Sequence, residues 1–125
     1  MTHALLSEIN LSDNKIKSSA VSSRDGLVVS YSEQQTLDED CVSAMSAAIF
    51  ATSKQGVSKL LGGKICRIIV EGEEGHVLIT LPTEDLLLTT VAQAGADIQA
   101  ILQQMSLFKE KFTNQMLLSE EAVSL

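Results

Sequence analysis

Residues 64–92 read KICRIIVEGEEGHVLITLPTEDLLLTTVA, and the way apolar side chains alternate along them decides the fold class. Three extended segments are expected: Lys64 to Glu71, His76 to Leu81 and Glu84 to Ala92. They are separated by Gly72-Glu73-Glu74-Gly75 and by a bend at Pro82-Thr83. In the first, Ile65 and Ile69 share one face while Cys66, Ile68 and Val70 share the other. In the second, Val77, Ile79 and Leu81 alternate with Leu78. A sheet that is apolar on both faces needs a cover on each, and helices have to supply it.

Upstream lies the first of those helices. Thr36-Leu37-Asp38-Glu39 has the form of a capping box, and Asp38, Glu39 and Asp40 suit the positive end of a helix dipole. The helix is expected from about Asp38 to Leu61, stopping at Gly62-Gly63. Before it, Ile16–Ser22 and Leu27–Ser32 flank Ser23-Arg24-Asp25-Gly26, a hairpin with Asp-Gly in the turn. A short amphipathic helix over Ala4 to Leu11 would use Leu5, Leu6 and Ile9. Downstream, Ile98, Ile101, Leu102, Met105, Phe108, Phe112 and Met116 recur at three and four residues, so a last helix should start near Asp97. The expected fold is α+β, in the order α-β-β-α-β-β-β-α. A five-stranded, mainly antiparallel sheet is sandwiched between the long middle helix and the two terminal helices. One domain covers residues 1–118, and residues 119–125 form a short acidic tail.

Charge narrows the choice of partner. The 125 residues carry 16 acidic groups against nine basic ones, a net charge of −7, with no Trp and 3% aromatic residues. Nucleic-acid binding rests on clustered cations and aromatic platforms, so it is excluded; an anionic membrane surface is disfavoured for the same lack of cations. Met1-Thr2-His3-Ala4-Leu5-Leu6 lacks the basic and long apolar regions of a signal peptide, and no run approaches a membrane span. A cytoplasmic chain is expected, with Cys41 and Cys66 as reduced, buried thiols.

The middle helix carries the functional signal. At 100° per residue Cys41, Met45, Ala48, Ile49, Thr52 and Gly56 form one stripe, expected to lie on the sheet. The opposite side should be polar if it met only water. Instead it holds Phe50, Val57 and Leu61 beside Ser43, Ala47 and Lys54, with Ala44, Ala47 and Ala51 on the flank, small enough for another helix to come close. A contiguous apolar patch marks an interface. The strand that follows, expected at a sheet edge in need of a partner, would add Ile65, Arg67 and Ile69.

No catalytic, cofactor or metal site emerges. Gly62-Gly63-Lys64 fails as a phosphate loop, because Ser58 stands where the first Gly belongs and Ile65 where Ser or Thr belongs. His3 and His76 have no neighbours that would complete a metal set, and there is no nucleophile elbow.

Ala20-Val21-Ser22-Ser23-Arg24-Asp25-Gly26-Leu27-Val28-Val29-Ser30 resembles the first hairpin of roadblock/LC7 domains. Val70-Glu71-Gly72-Glu73-Glu74-Gly75-His76-Val77-Leu78-Ile79 is similar to that family's next hairpin, and the helices match in order across residues 4–116, although the first is shorter than usual. The resemblance implies a homodimer paired through the middle helix (Ala44 to Leu61) and the strand after it (Lys64 to Glu71), with one sheet continuous across both copies. It implies a non-catalytic module that binds or regulates a Ras-like small GTPase. An arginine finger given in trans would have to be Arg24 or Arg67. Two alternatives stand beside this: a structural light chain or assembly scaffold without a GTPase, and a small-molecule sensor.

Overall fold

The computed structural model describes residues 1–124, with side chains through Leu118. Its elements are α1 (Thr2–Leu11), β1 (Ile16–Ser23), β2 (Val28–Glu33), α2 (Glu39–Leu60), β3 (Arg67–Gly72), β4 (Gly75–Thr83), β5 (Leu86–Gln93) and α3 (Ile98–Ser124). The order is the expected one, and so is the α+β class. The segment 119–125, expected as an acidic tail, carries the backbone of α3 on to Ser124. Its side chains and Leu125 lie outside the described residues.

The five strands form one antiparallel sheet in the order β2-β1-β5-β4-β3. The first and last strands in sequence thus meet at its centre, and β3 lies at an edge. β3 begins at Arg67 rather than Lys64, because residues 64–66 still belong to the connection from α2. In the first hairpin Gly26, at φ +92°, closes the turn, with its N–H donated to the Ser23 carbonyl.

α1 and α3 cover one face. Leu6, Ile9, Ile101, Met105 and Phe108 pack there against Ile16, Val21, Leu78 and Leu88, all buried. The spacing of the α3 stripe therefore reports burial correctly up to Phe112, which stacks on Phe108 at 5.6 Å; Met116 is exposed. Asp97 caps α3, accepting the Ala100 N–H at 3.1 Å. Asp13 ties the start of the sheet to that cap. Its carboxylate accepts the N–H of Lys15 at 2.9 Å and of Asp97 at 3.1 Å, and those two bonds, Lys15 first, hold the carboxyl below its ordinary value.

α2 covers the other face. Its N-cap is Asp38, not Thr36: the Asp38 carboxylate accepts the N–H groups of Asp40 at 2.9 Å and Cys41 at 3.2 Å, leaving Thr36 two residues outside the helix. At the other end the N–H groups of Leu61 and Gly62 both reach the Val57 carbonyl, and Gly62 and Gly63 turn the chain away at positive φ.

The helix faces the sheet with the side opposite to the one expected. Ser43, Ser46 and Phe50 point inward and are buried, whereas Cys41, Met45, Ala48 and Thr52 are exposed. The cause lies in β1. Ser18, Ala20 and Ser22 pair with Val91, Thr89 and Leu87 on the α2 face, so the floor under the helix is small and hydroxylic. Small side chains on α2 suit that floor. The Thr89 hydroxyl bonds to that of Ser46 at 2.8 Å, and Ser46 donates to the Val42 carbonyl at 2.6 Å. A Cβ on Gly26 would stand 3.3 Å from the Ala44 Cα, a measure of how near the helix comes. Apolar periodicity therefore marked the wrong stripe as the sheet-facing one. Both cysteines, expected to be buried, are exposed.

Candidate interaction surface

α2 sits off-centre. It packs over β1, β5 and β2, and toward β4 and β3 only Phe50 and Ile49 reach across, to a small cluster with Ile68, Ile79 and Leu87. Beside the helix, the outer half of this sheet face lies open. A groove of about 250 Å³ runs between them, with Met45, Ile49 and Cys41 on its helical wall and Val77, Thr89 and Val91 on its floor. Val70 extends the floor to the sheet edge, because it pairs directly with Val77. Met45 is 55% exposed and Val70 40%, which is high for apolar side chains on one open face. At the head of the groove Tyr31 donates its hydroxyl to the Leu37 carbonyl at 3.2 Å and so anchors the loop leading into α2. Burial is the main cause that pushes the Tyr31 phenol above its ordinary value.

The edge strand completes the surface. β3 pairs only with β4 among the described residues, so the backbone groups on its outer side are unsatisfied by the sheet. Its two faces differ. Val70 looks toward the groove, while Ile69, 46% exposed, is paired with Leu78 and lies on the α3 side with Arg67.

The residues expected at an interface are divided by this geometry. Ala44, Ala51, Lys54, Leu61, Arg67 and Ile69 are exposed, and Ala47, Val57 and Ile65 are half-buried. Ser43 and Phe50 are corrections to the predicted outward face. Ser43 is wholly buried against the first hairpin, and Phe50, 3% exposed, fills the space between α2 and the sheet with the Arg24 guanidinium 5.0 Å above its ring. Met45, Val70, Val77 and Val91 were missed as groups of an open groove, whereas Ile49, expected on the sheet, does reach it while also walling the groove. The signal that could have found them was the run of small hydroxylic residues in β1, a polar floor that suits Ser43 and Ser46 better than an apolar stripe containing Met45.

Among the described residues no helix is long and apolar enough to cross a membrane, and no group of three His, Cys, Asp or Glu side chains stands close enough to hold a metal ion.

A family model described as the Roadblock/LC7 domain matches residues 3–92. An uncharacterized protein of Methanocaldococcus jannaschii is 30% identical over 87 residues, covering 70% of this chain and 75% of the relative. The fold is shared with the Roadblock/LC7 domain from Streptomyces avermitilis, at a TM-score of 0.84 and 17% identity over 92% of this chain and 97% of that one. It is shared also with Myxococcus xanthus MglB, at a TM-score of 0.79 and 16% identity over 92% of this chain and 94% of that one.

Proposed function

The chain belongs to the Roadblock/LC7 domain family, and from that premise we propose that it is a non-catalytic homodimeric module of the cytoplasm that binds and regulates a Ras-like small GTPase. The observation that carries the reading is the off-centre seat of α2. It leaves an apolar half-face of the sheet next to an unpaired edge strand, and a second copy turned by a two-fold axis offers the same two features in return. Helix beside helix and β3 beside β3 would cover Met45, Ile49, Val70 and Val77 at once and satisfy the outer edge of β3. Ala48, exposed on α2 next to Met45, permits the close approach of a second helix. An isologous pair of this kind would then present one composite surface to its partner.

The test has two steps. Light scattering should give twice the 13.4 kDa chain mass for the wild type and a single chain mass for Val70→Glu, whose exposed position tolerates the charge in a folded monomer. The dimer should then retain a Ras-like GTPase loaded with a non-hydrolysable GTP analogue in preference to the GDP form. A monomeric wild type sinks the homodimer. Equal retention of both nucleotide forms sinks the regulator and favours the scaffold.

A further inference from the structure

The cations of this acidic chain are not spread evenly. Four of the nine, Arg24, Lys54, Lys64 and Lys109, line one cleft of about 580 Å³ at the end of the sheet where the β1–β2 turn, the β4–β5 turn and the last turns of α2 meet. The cleft shares no lining residue with the groove described above, so it is a separate site. We propose that it binds a small organic phosphate of about mononucleotide size.

Charge is the first argument. Like charges converge at a cost unless something neutralises them, and the cleft supplies a single carboxylate, Glu84, which is 3.4 Å from Lys64. Among the described residues Arg24, Lys54 and Lys109 have no carboxylate partner. Those three positive charges suit a phosphate or diphosphate, which carries about two negative charges or more near neutral pH. The carbonyl end of α2 opposes an anion here, but its partial charge is smaller than three unpaired full ones.

The second argument is preorganisation. Arg24 stands on a hairpin turn, yet its guanidinium is seated over the ring of buried Phe50, leaving its N–H edges to fork onto an oxyanion. The Ser58 and Thr83 hydroxyls lie on the same lining and add neutral donors. The third argument is shape. Ile65, Leu81 and Pro82 form an apolar wall with no use for an inorganic ion, and the volume falls in the range of roughly 300–1,000 Å³ that encloses small organic ligands. Lys54, Phe50 and Ile65, expected at an interface on sequence grounds, are here three parts of one pocket.

The experiment is a titration of the full chain, followed by amide chemical shifts, with ADP, with inorganic pyrophosphate and with a short polyglutamate peptide, on the wild type and on Lys54→Gln/Lys109→Gln. Both lysines are exposed, so the double variant folds, as an unchanged circular dichroism spectrum would verify. ADP should saturate below about 10 mM, moving Ser58, Gly63, Lys64 and Thr83. Its affinity should drop roughly tenfold for each lysine removed and fall steeply with salt. Pyrophosphate should bind the same amides more weakly. Absence of saturation, or saturation that the double variant leaves unchanged, overturns the site. Pyrophosphate binding as tightly as ADP overturns the organic body, and polyglutamate binding more tightly than ADP overturns the small-molecule ligand in favour of an acidic protein segment.

Discussion

Phe50 and Asp13 show how single side chains hold this domain together by different physics. Phe50 is the one large side chain that α2 buries against the sheet, packed with Ile68, Ile79 and Leu87 and roofed by Arg24. Removing it leaves a cavity within the cluster of Ile68, Ile79 and Leu87, so Phe50→Ala should cost about 3–5 kcal/mol, read from urea unfolding. A loss below 1 kcal/mol would mean that the helix simply settles onto the sheet. Asp13 acts through charge. Its carboxyl is held below the ordinary value of 3.8, so its contribution is complete above that pH and disappears as pH falls through the lower folded value. Asp13→Ala should therefore be less stable than wild type at neutral pH, with a gap that narrows below about pH 4 in acid unfolding curves. A gap that widens in acid would contradict the assignment. Neither role was legible beforehand. Phe50 read as a surface group because helical periodicity says which residues share a face and not which face turns inward. Asp13 bonds to Asp97, far along the chain, and such a contact leaves no local mark.

Helix α2 and strand β3 form the element pair on which an assembly depends. The extent of α2 was plain from its acidic start and its Gly-Gly stop, and only the cap moved, from Thr36 to Asp38. Its rotation was not plain, since the hydroxyl-rich floor of Ser18, Ser22 and Thr89 reverses the usual rule that the apolar stripe seeks the core. β3 was recognised as a strand and as an edge, and its order beside β4 follows from the short Gly72-Glu73-Glu74-Gly75 connection. If β3 of one copy pairs with β3 of another, its outward N–H groups gain partners. Hydrogen exchange should then be slow along residues 67–72 in the wild type and fast in Val70→Glu, while β1 and β5 stay protected in both. Equal rates along β3 in the two proteins would place the self-association surface elsewhere.

Across the whole molecule, class and element order were readable because the apolar pattern of residues 64–92 demanded covers on both faces and the amphipathic helices were there to supply them. Strand order was not, because nothing local says that β1 and β5 are neighbours. The cation cleft escaped for the same reason, since Arg24, Lys54, Lys64 and Lys109 are scattered in sequence and meet only at one end of the sheet. That seam between β1 and β5 has a consequence for the chain's birth. Synthesis delivers α1, β1, β2 and α2 first, and β1 must then wait for residues 86–93 to leave the ribosome before its inner edge is paired. At translation rates of roughly 5–20 residues per second the delay lasts several seconds, long compared with the microseconds in which a hairpin forms. Throughout that interval the nascent half-domain bears an open, serine-rich strand edge in place of an apolar one, which lessens its tendency to stick to neighbours on the same messenger.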